Sequence, residues 1–193
     1  MTTTIAPEVA ERLYTVEEWL ELEKHADTRH EYYFGKLIPM AGEAKRANMI
    51  AKNILKKLDD PLIEKGYELY GHDVKAEVVP GGIYRYPDLV VAPVVDDEHD
   101  YIVKMPVLMV EVASDLSANR DRIKKRREYL EIPTLWYYLI VAQDEMFAEL
   151  HTRNAEGRWE TRYFTEPEEN IEFPRFEVAM TLADAYLRVK MPA

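Results

Sequence analysis

The sequence predicts one α/β domain built on a mixed, partly antiparallel sheet. Three observations carry this. Apolar, strand-like runs occupy residues 83–92 and 105–113, a four-residue apolar period marks a helix over 44–64, and residues 135–141 are almost wholly apolar and aromatic. The chain has 193 residues, 47% hydrophobic and 32% charged, enough to bury the core of a single domain.

The first 13 residues are polar and unpatterned and are expected to form a flexible tail ahead of a single domain over 14–193. Thr15-Val16-Glu17-Glu18 then reads as a capping box, in which a hydroxyl and a carboxylate satisfy each other's orphan amides. It opens a short helix with Trp19, Leu20 and Leu22 on its apolar side. Residues 31–40 read as two strands turning at Gly35, a residue that tolerates positive φ. Ile50, Ile54, Leu58 and Leu62 form the helical stripe, with Leu55 beside it, and Gly66 ends the helix. Residues 67–79 read as one strand and Pro80-Gly81-Gly82 as a turn. An acidic loop, Asp96-Asp97-Glu98-His99-Asp100, separates the two strongest strands. A basic helix over 118–131, capped by Ser117, is stopped by Pro133. The run at 135–141 has the character of a buried central strand. Residues 146–152 and 158–164 form a hairpin around Asn154-Ala155-Glu156-Gly157, and a last helix spans 181–189.

Composition narrows the function. Lys plus Arg number 25 against 36 Asp plus Glu, a formal charge of −11, which excludes a generally basic nucleic-acid coat or a polybasic membrane anchor. A local basic groove remains compatible with that sum, because local field outweighs net charge. The absence of cysteine excludes disulfides, iron–sulfur clusters, thiolate zinc sites and cysteine nucleophiles. No stretch approaches the roughly 20 apolar residues that span a bilayer, and no secretory signal is visible, so the expected compartment is the cytoplasm. Neither a glycine-rich phosphate loop nor a Gly-x-Ser-x-Gly elbow is present, and the five histidines lack metal-ligand spacing. His72-Asp73 is the one local histidine pair of interest.

Two carboxylates stand out. Asp88 follows Pro87 inside the apolar run 83–92, and Glu111 lies in the middle of the run 107–113. Burying either is expensive unless it is paired, hydrogen-bonded or bound to a metal. A salt bridge from Arg85 to Asp88, or an exposed strand edge for Glu111, would account for each singly. Together, on neighbouring strands, they suggest a hard-cation site of the kind magnesium takes, with one or two carboxylates and several waters. The window from Asn119 to Tyr129 holds six Lys and Arg against two acids, a local reversal of charge suited to a phosphate backbone. Taken alone, the window is accounted for better by a solvated helix face with an Asp121–Lys125 pair. Glu31, opening the strand after the first helix, is a further candidate ligand or water-orienting group.

Pro87-Asp88, Glu111-Val112-Ala113-Ser114, and Asp121 through Lys125 to Tyr129 resemble the Uma-type restriction endonuclease family, a bacterial branch of the PD-(D/E)XK nuclease superfamily. The Glu31-to-Met40 hairpin, the helix around Asn48 to Leu58 and the Ile132-Pro133 turn into Trp136-Tyr137-Tyr138 fit the same family, over roughly residues 14 to 188. The resemblance implies a restriction-endonuclease-like central mixed sheet flanked by helices. It implies Mg²⁺, or Mn²⁺, held by Asp88, Glu111 and the carbonyl of Val112, with Glu31 contributed from the N-terminal region. The superfamily's strand lysine would fall at Ala113. Its replacement is expected from the following helix, at Lys125, with Lys124 as the other choice. Arg120, Arg122, Lys124 and Arg126 would track the backbone of a nucleic acid, DNA being the expected polymer, and the chain is expected to act as a homodimer.

The sequence departs from the family in three places. No histidine occurs in residues 43–48, the acids often found near Tyr137 and Ala142 are missing, and Ser114-Asp115-Leu116-Ser117 replaces Ser-Pro-Ser. The competing expectation is a non-catalytic interaction or nucleic-acid-binding module on the same scaffold. The missing strand lysine favours it and the intact acidic pair opposes it.

Overall fold

Thr15 and Glu18 close the capping box: Thr15 Oγ1 accepts from the Glu18 amide at 3.2 Å, and Glu18 Oε2 accepts from the Thr15 amide at 3.0 Å. The helix it opens, α1 (Val16–Glu23), buries Trp19. The computed structural model describes residues 12–71, 73–94, 99–113 and 120–192, with only the backbone at 120–122. The expected tail thus falls mostly outside the described residues, as do Asp96, Asp97 and Glu98 of the acidic loop, His72 and the Ser117 cap. Arg12 is tied down, 3.0 Å from Glu18.

Strands β1 (His30–Tyr33) and β2 (Lys36–Pro39) form the expected hairpin. Phe34 and Gly35 make its turn with φ of 44° and 89°, and a Cβ on Gly35 would approach Leu13 Cβ to 3.0 Å. Glycine is therefore needed there both for backbone conformation and for close packing. Helix α2 (Lys45–Glu64) buries Ile50, Ile54, Leu58 and Leu62, the stripe its sequence period predicts.

Two expected long strands are each broken in the middle, and the breaks build the site. Residues 67–79 divide into β3 (Tyr67–Gly71) and β4 (Lys75–Val79), which belong to different sheets. Residues 83–92 likewise divide into β5 (Ile83–Arg85) and β6 (Leu89–Pro93). Pro87, without an amide donor, cannot continue a ladder, so the chain turns a corner at Tyr86-Pro87-Asp88 and passes from one sheet to the other. Asp88 accordingly stands at a bend rather than within a strand. Next comes β7 (Ile102–Val103), which the sequence pattern did not indicate. The strand expected over 105–113 begins only after Pro106, as β8 (Leu108–Ala113).

Helix α3 (Arg120–Leu130) carries the chain from β8 to β9 (Tyr137–Ala142), and these two strands are parallel, as a helical crossover allows. All six residues of β9 are buried. An antiparallel hairpin follows, β10 (Ala148–Arg153) and β11 (Trp159–Phe164). The last elements are β12 (Asn170–Phe173), β13 (Val178–Thr181) and α4 (Leu182–Ala185). That final helix is a single turn instead of the expected 181–189. Asn53 Nδ2 donates to the carbonyls of Ala185 and Leu187, and Arg188 adopts a φ of 61°, so the helix cannot extend.

The larger sheet runs β11-β10-β9-β8-β6-β3 and the second β2-β1-β5-β4-β7, with β12-β13 as a separate pair. One face of the larger sheet packs Leu89, Val91, Leu108, Val110 and Leu139 against the α2 stripe. The opposite face packs Val90, Met109, Tyr138 and Ile140 with Tyr129 of α3. The architecture is thus a mixed sheet flanked by helices. Among the described residues no helix is long and apolar enough to cross a membrane.

Candidate active site

Side chains alternate along β8, so Met109, Glu111 and Ala113 share the face on which α3 lies, while Leu108 and Val110 face α2. Glu111 thus points its carboxylate at α3. Tyr129 Oη donates to Glu111 Oε1 at 2.9 Å, and Lys125 Nζ lies 3.5 Å from the same oxygen. One turn of helix separates Lys125 from Tyr129, which brings both to the same carboxylate. Lys125 and Lys124 lie in different surroundings. Lys125 is directed into the site, whereas Lys124 Nζ sits 3.5 Å above the Tyr33 ring and 3.9 Å from Glu128.

Asp88 stands where β6 begins. Val112 donates its amide to Asp88 Oδ2 at 2.6 Å, so the side chain of Asp88 extends the β6–β8 ladder past its last backbone pair, Leu89 with Val110. A strand residue points its carbonyl to the same edge as its amide, which directs the Val112 carbonyl toward Asp88 as well. Asp88, Glu111, Val112 and Lys125 line one cleft of about 560 Å³, together with Glu43 and Tyr86.

Glu31 is buried and bridges two cations. Its Oε2 accepts from Arg85 Nη1, and its Oε1 lies 3.0 Å from Lys125 Nζ. Arg85, itself buried, donates from Nη2 to Glu128 Oε2 at 2.8 Å. The salt bridge considered for Asp88 is therefore replaced by pairs from Arg85 to Glu31 and Glu128. Buried ions need such partners, and this chain fixes Lys125 from behind. Burial works against the charge of Lys125, but Glu111 and Glu31 outweigh it and hold its ammonium above the ordinary lysine range.

Asp88 behaves oppositely. Burial first, and then the charge of Glu111, push its carboxyl up to about 7, against the Val112 hydrogen bond and Lys125, with Glu43 adding to the rise. Counting Asp88, Glu111, Glu31 and Glu128 against Lys125 and Arg85 leaves two uncompensated negative charges in this network when all ionise, and Glu43 on the cleft wall adds to the excess. The donors are hard oxygens, and a divalent cation would neutralise the excess, so the residues fit a magnesium or manganese ion. Among the described residues no three His, Asp or Glu side chains form a metal-holding cluster. The protein offers a carboxylate pair with a backbone carbonyl, and water would complete the shell.

The remaining basic residues of α3 are less uniform than their sequence suggests. Arg126 Nη1 lies 3.4 Å from Glu149, Arg127 is exposed, and the side chains of Arg120, Asp121 and Arg122 lie outside the described residues. Sequence reasoning missed Glu43, Glu128 and the true partners of Arg85. Only Tyr129 carried a signal, through its spacing of four from Lys125.

Comparisons with known proteins bear on the family and the fold. The sequence model of the family described as "Uma2: Putative restriction endonuclease" matches residues 16–184. The uncharacterized protein sll1609 of Synechocystis sp. is 28% identical over 151 residues, 77% of this chain and 85% of the relative. A second uncharacterized Synechocystis protein, slr1290, is 29% identical over 144 residues, covering 74% and 76%. In fold, the chain is similar to the crystal structure of a putative nuclease belonging to DUF820 from Anabaena variabilis. The TM-score is 0.71 at 16% identity, covering 90% of this chain and 97% of that one.

Proposed function

The chain belongs to the Uma2 family, and on that footing we propose that it is a metal-dependent endonuclease hydrolysing phosphodiester bonds of nucleic acid, with DNA as the substrate. The observation that carries this is the position of Lys125. Its Nζ reaches Glu111 on the face of β8 where a lysine at position 113 would stand, so α3 supplies the cation that Ala113 lacks.

Asp88, Glu111 and the carbonyl of Val112 would hold Mg²⁺ or Mn²⁺. The bound cation supplies Lewis-acid polarisation of the scissile phosphate and a lower pKa for its water. Lys125, kept charged by Glu31 and Glu111, orients the attacking water or stabilises negative charge developing on the phosphate. Glu31 acts through Lys125, and Tyr129 keeps the Glu111 carboxylate turned into the cleft. Arg120, Arg122, Lys124 and Arg126 present α3 to the phosphate backbone, which makes binding weaken with salt. A homodimer, with one site for each strand, suits cleavage of a duplex.

The test is cleavage of supercoiled plasmid, single-stranded DNA and RNA with Mg²⁺ and then Mn²⁺, alongside Asp88→Ala and Glu111→Ala proteins purified identically. Loss of cleavage in both variants is expected, with DNA cut in preference to RNA. Equal activity in variants and wild type would expose a contaminant, and no cleavage anywhere would move the assignment to a non-catalytic nuclease scaffold.

A further inference from the structure

A second cavity, of about 390 Å³, adjoins the cleft and plays no part in the mechanism above. Lys75, the first residue of β4, lines it. Its residue is 4% exposed, and its ammonium lies 5.0 Å from the ring centre of Tyr86, 5.6 Å from that of Tyr101 and 5.7 Å from that of Trp19. The backbone at this point is held by the sheet: the Lys75 amide donates to the Tyr101 carbonyl at 3.1 Å, and β4 pairs with β7 at Lys75 and Ile102.

Three aromatic faces favour a cation but accept none of its hydrogen bonds in the ordinary sense. Among the described residues Lys75 Nζ has no hydrogen bond and no ion pair. The other charged groups around the cavity are engaged. Glu23 accepts from the His30 amide at 3.1 Å and from Tyr86 Oη at 2.7 Å, and its Oε1 lies 3.0 Å from His30 Nδ1. Lys24 pairs with Glu21, and Arg29 with Asp73 at 2.7 Å. With Glu21 counted beside its partner Lys24, three cations stand against three carboxylates around the cavity, and among the described residues Lys75 is the cation left without an ion pair. A buried ammonium with unused donors, whose charged neighbours are already engaged with one another, is a site for an anion.

The anion's chemistry follows from the cavity's neighbours. Arg29 and Asp73 line both this cavity and the Asp88 cleft, so their ion pair is the wall between the two. Tyr86, whose ring covers Lys75, is two residues from Asp88. Tyr101 is half exposed and offers a flat face at the cavity mouth.

We propose that this cavity is a phosphate-binding subsite that takes the phosphate of a nucleotide flanking the bond cleaved in the Asp88 cleft. Lys75 is its buried cation, Arg29 its second cation on release from Asp73, and Tyr101 the face against which the base lies. The assignment rests on the nuclease reading for the identity of its strand but not for the anion site itself.

The test is calorimetric titration with a 5′-phosphorylated dithymidine and with inorganic phosphate, in EDTA so that cleavage does not enter. Wild type is expected to bind the dinucleotide, and Lys75→Met to weaken that binding about tenfold or more, the scale of a lost charge-assisted hydrogen bond. The dinucleotide is expected to bind more tightly than inorganic phosphate; equal affinity would make this a site for free phosphate and overturn the strand assignment. No binding by wild type, or equal binding by Lys75→Met, would overturn the subsite. Should Lys75→Met fail to fold, Arg29→Gln, at a half-exposed side chain, is expected to show the same loss, and unchanged binding would again overturn it. Binding in EDTA by a protein that cleaves nothing would leave the anion site standing while the nuclease reading failed, and cleavage without this binding would do the reverse.

Discussion

Tyr129 Oη donates to Glu111 Oε1 at 2.9 Å, and that bond fixes the carboxylate on which the site depends. Burial first, and then the nearby carboxylates of Glu111 and Glu31, hold the phenol well above its ordinary pKa, so it stays a donor throughout the physiological range. Tyr129→Phe keeps the buried ring and removes only the hydroxyl. Divalent-metal affinity is expected to fall by about 10-fold or more, as when other groups that orient a ligand are lost. Calorimetry with Mn²⁺ measures it, and an unchanged affinity would mean Glu111 is held by packing alone.

Arg85, on β5, joins Glu31 of the neighbouring strand β1 and Glu128 of α3, and so ties the second sheet to the helix. Replacing it with Met leaves both carboxylates buried without their shared partner. The expected cost is about 3–5 kcal/mol of stability, the scale for breaking a buried ion pair. Urea denaturation of wild type and Arg85→Met gives the difference. A loss under about 1 kcal/mol, as at a surface pair, would show that water reaches these carboxylates.

The raised carboxyl of Asp88 makes stability depend on pH in a definite direction. A group whose folded pKa lies above its unfolded value contributes stability below the unfolded pKa and loses it as pH rises through the folded one. Here that window runs from about 4, the ordinary aspartate value, to about 7. In EDTA, Asp88→Asn is therefore expected to be more stable than wild type at pH 8, with the advantage shrinking toward pH 5. Metal and proton compete for the same carboxylate, so Mn²⁺ affinity is expected to fall about tenfold per pH unit below 7. Thermal melts with and without Mn²⁺ check both, and a pH-independent difference between the two proteins would contradict the assignment.

Because Ala113 and Glu111 share a face of β8, a lysine at 113 reaches the same space from the strand that Lys125 reaches from the helix. Lys125→Met is expected to lower cleavage by about 10²-fold or more, the scale seen when one charge-stabilising donor is removed. Ala113→Lys in that background is expected to recover part of it. Plasmid nicking rates for the three proteins test this, and full activity in Lys125→Met would remove Lys125 from the mechanism.

Local signals in the sequence were faithful where neighbours along the chain decide the structure. The Thr15–Glu18 capping box, the Ile50-Ile54-Leu58-Leu62 stripe and the buried strand β9 all follow from nearest contacts. The sequence pattern failed where the sheets exchange strands. Runs 67–79 and 83–92 look continuous because both halves of each are buried, and hydrophobicity does not record which sheet buries them. Pro87 was the one local mark of a corner. In the site, Asp88 and Glu111 are legible as acids within apolar runs, whereas Lys125 and Glu31 are picked out chiefly by the family resemblance, and the fold brings Lys125 to both Glu111 and Glu31. The partner of Arg85 was not, since Glu31 lies 54 residues away and only the fold brings it close. Charge counting alone does not say which cations of α3 face outward: Lys125 turns inward, in the direction the resemblance implies, and Lys124 covers Tyr33.

The measurement that bears most directly on the central claim is a calorimetric titration of Mn²⁺ into wild type, Asp88→Ala and Glu111→Ala at pH 7.5. Binding that depends on both carboxylates is predicted, present in wild type and lost in either variant while the fold is retained. Absence of binding in wild type, or equal binding in all three proteins, would contradict a metal centre at Asp88 and Glu111.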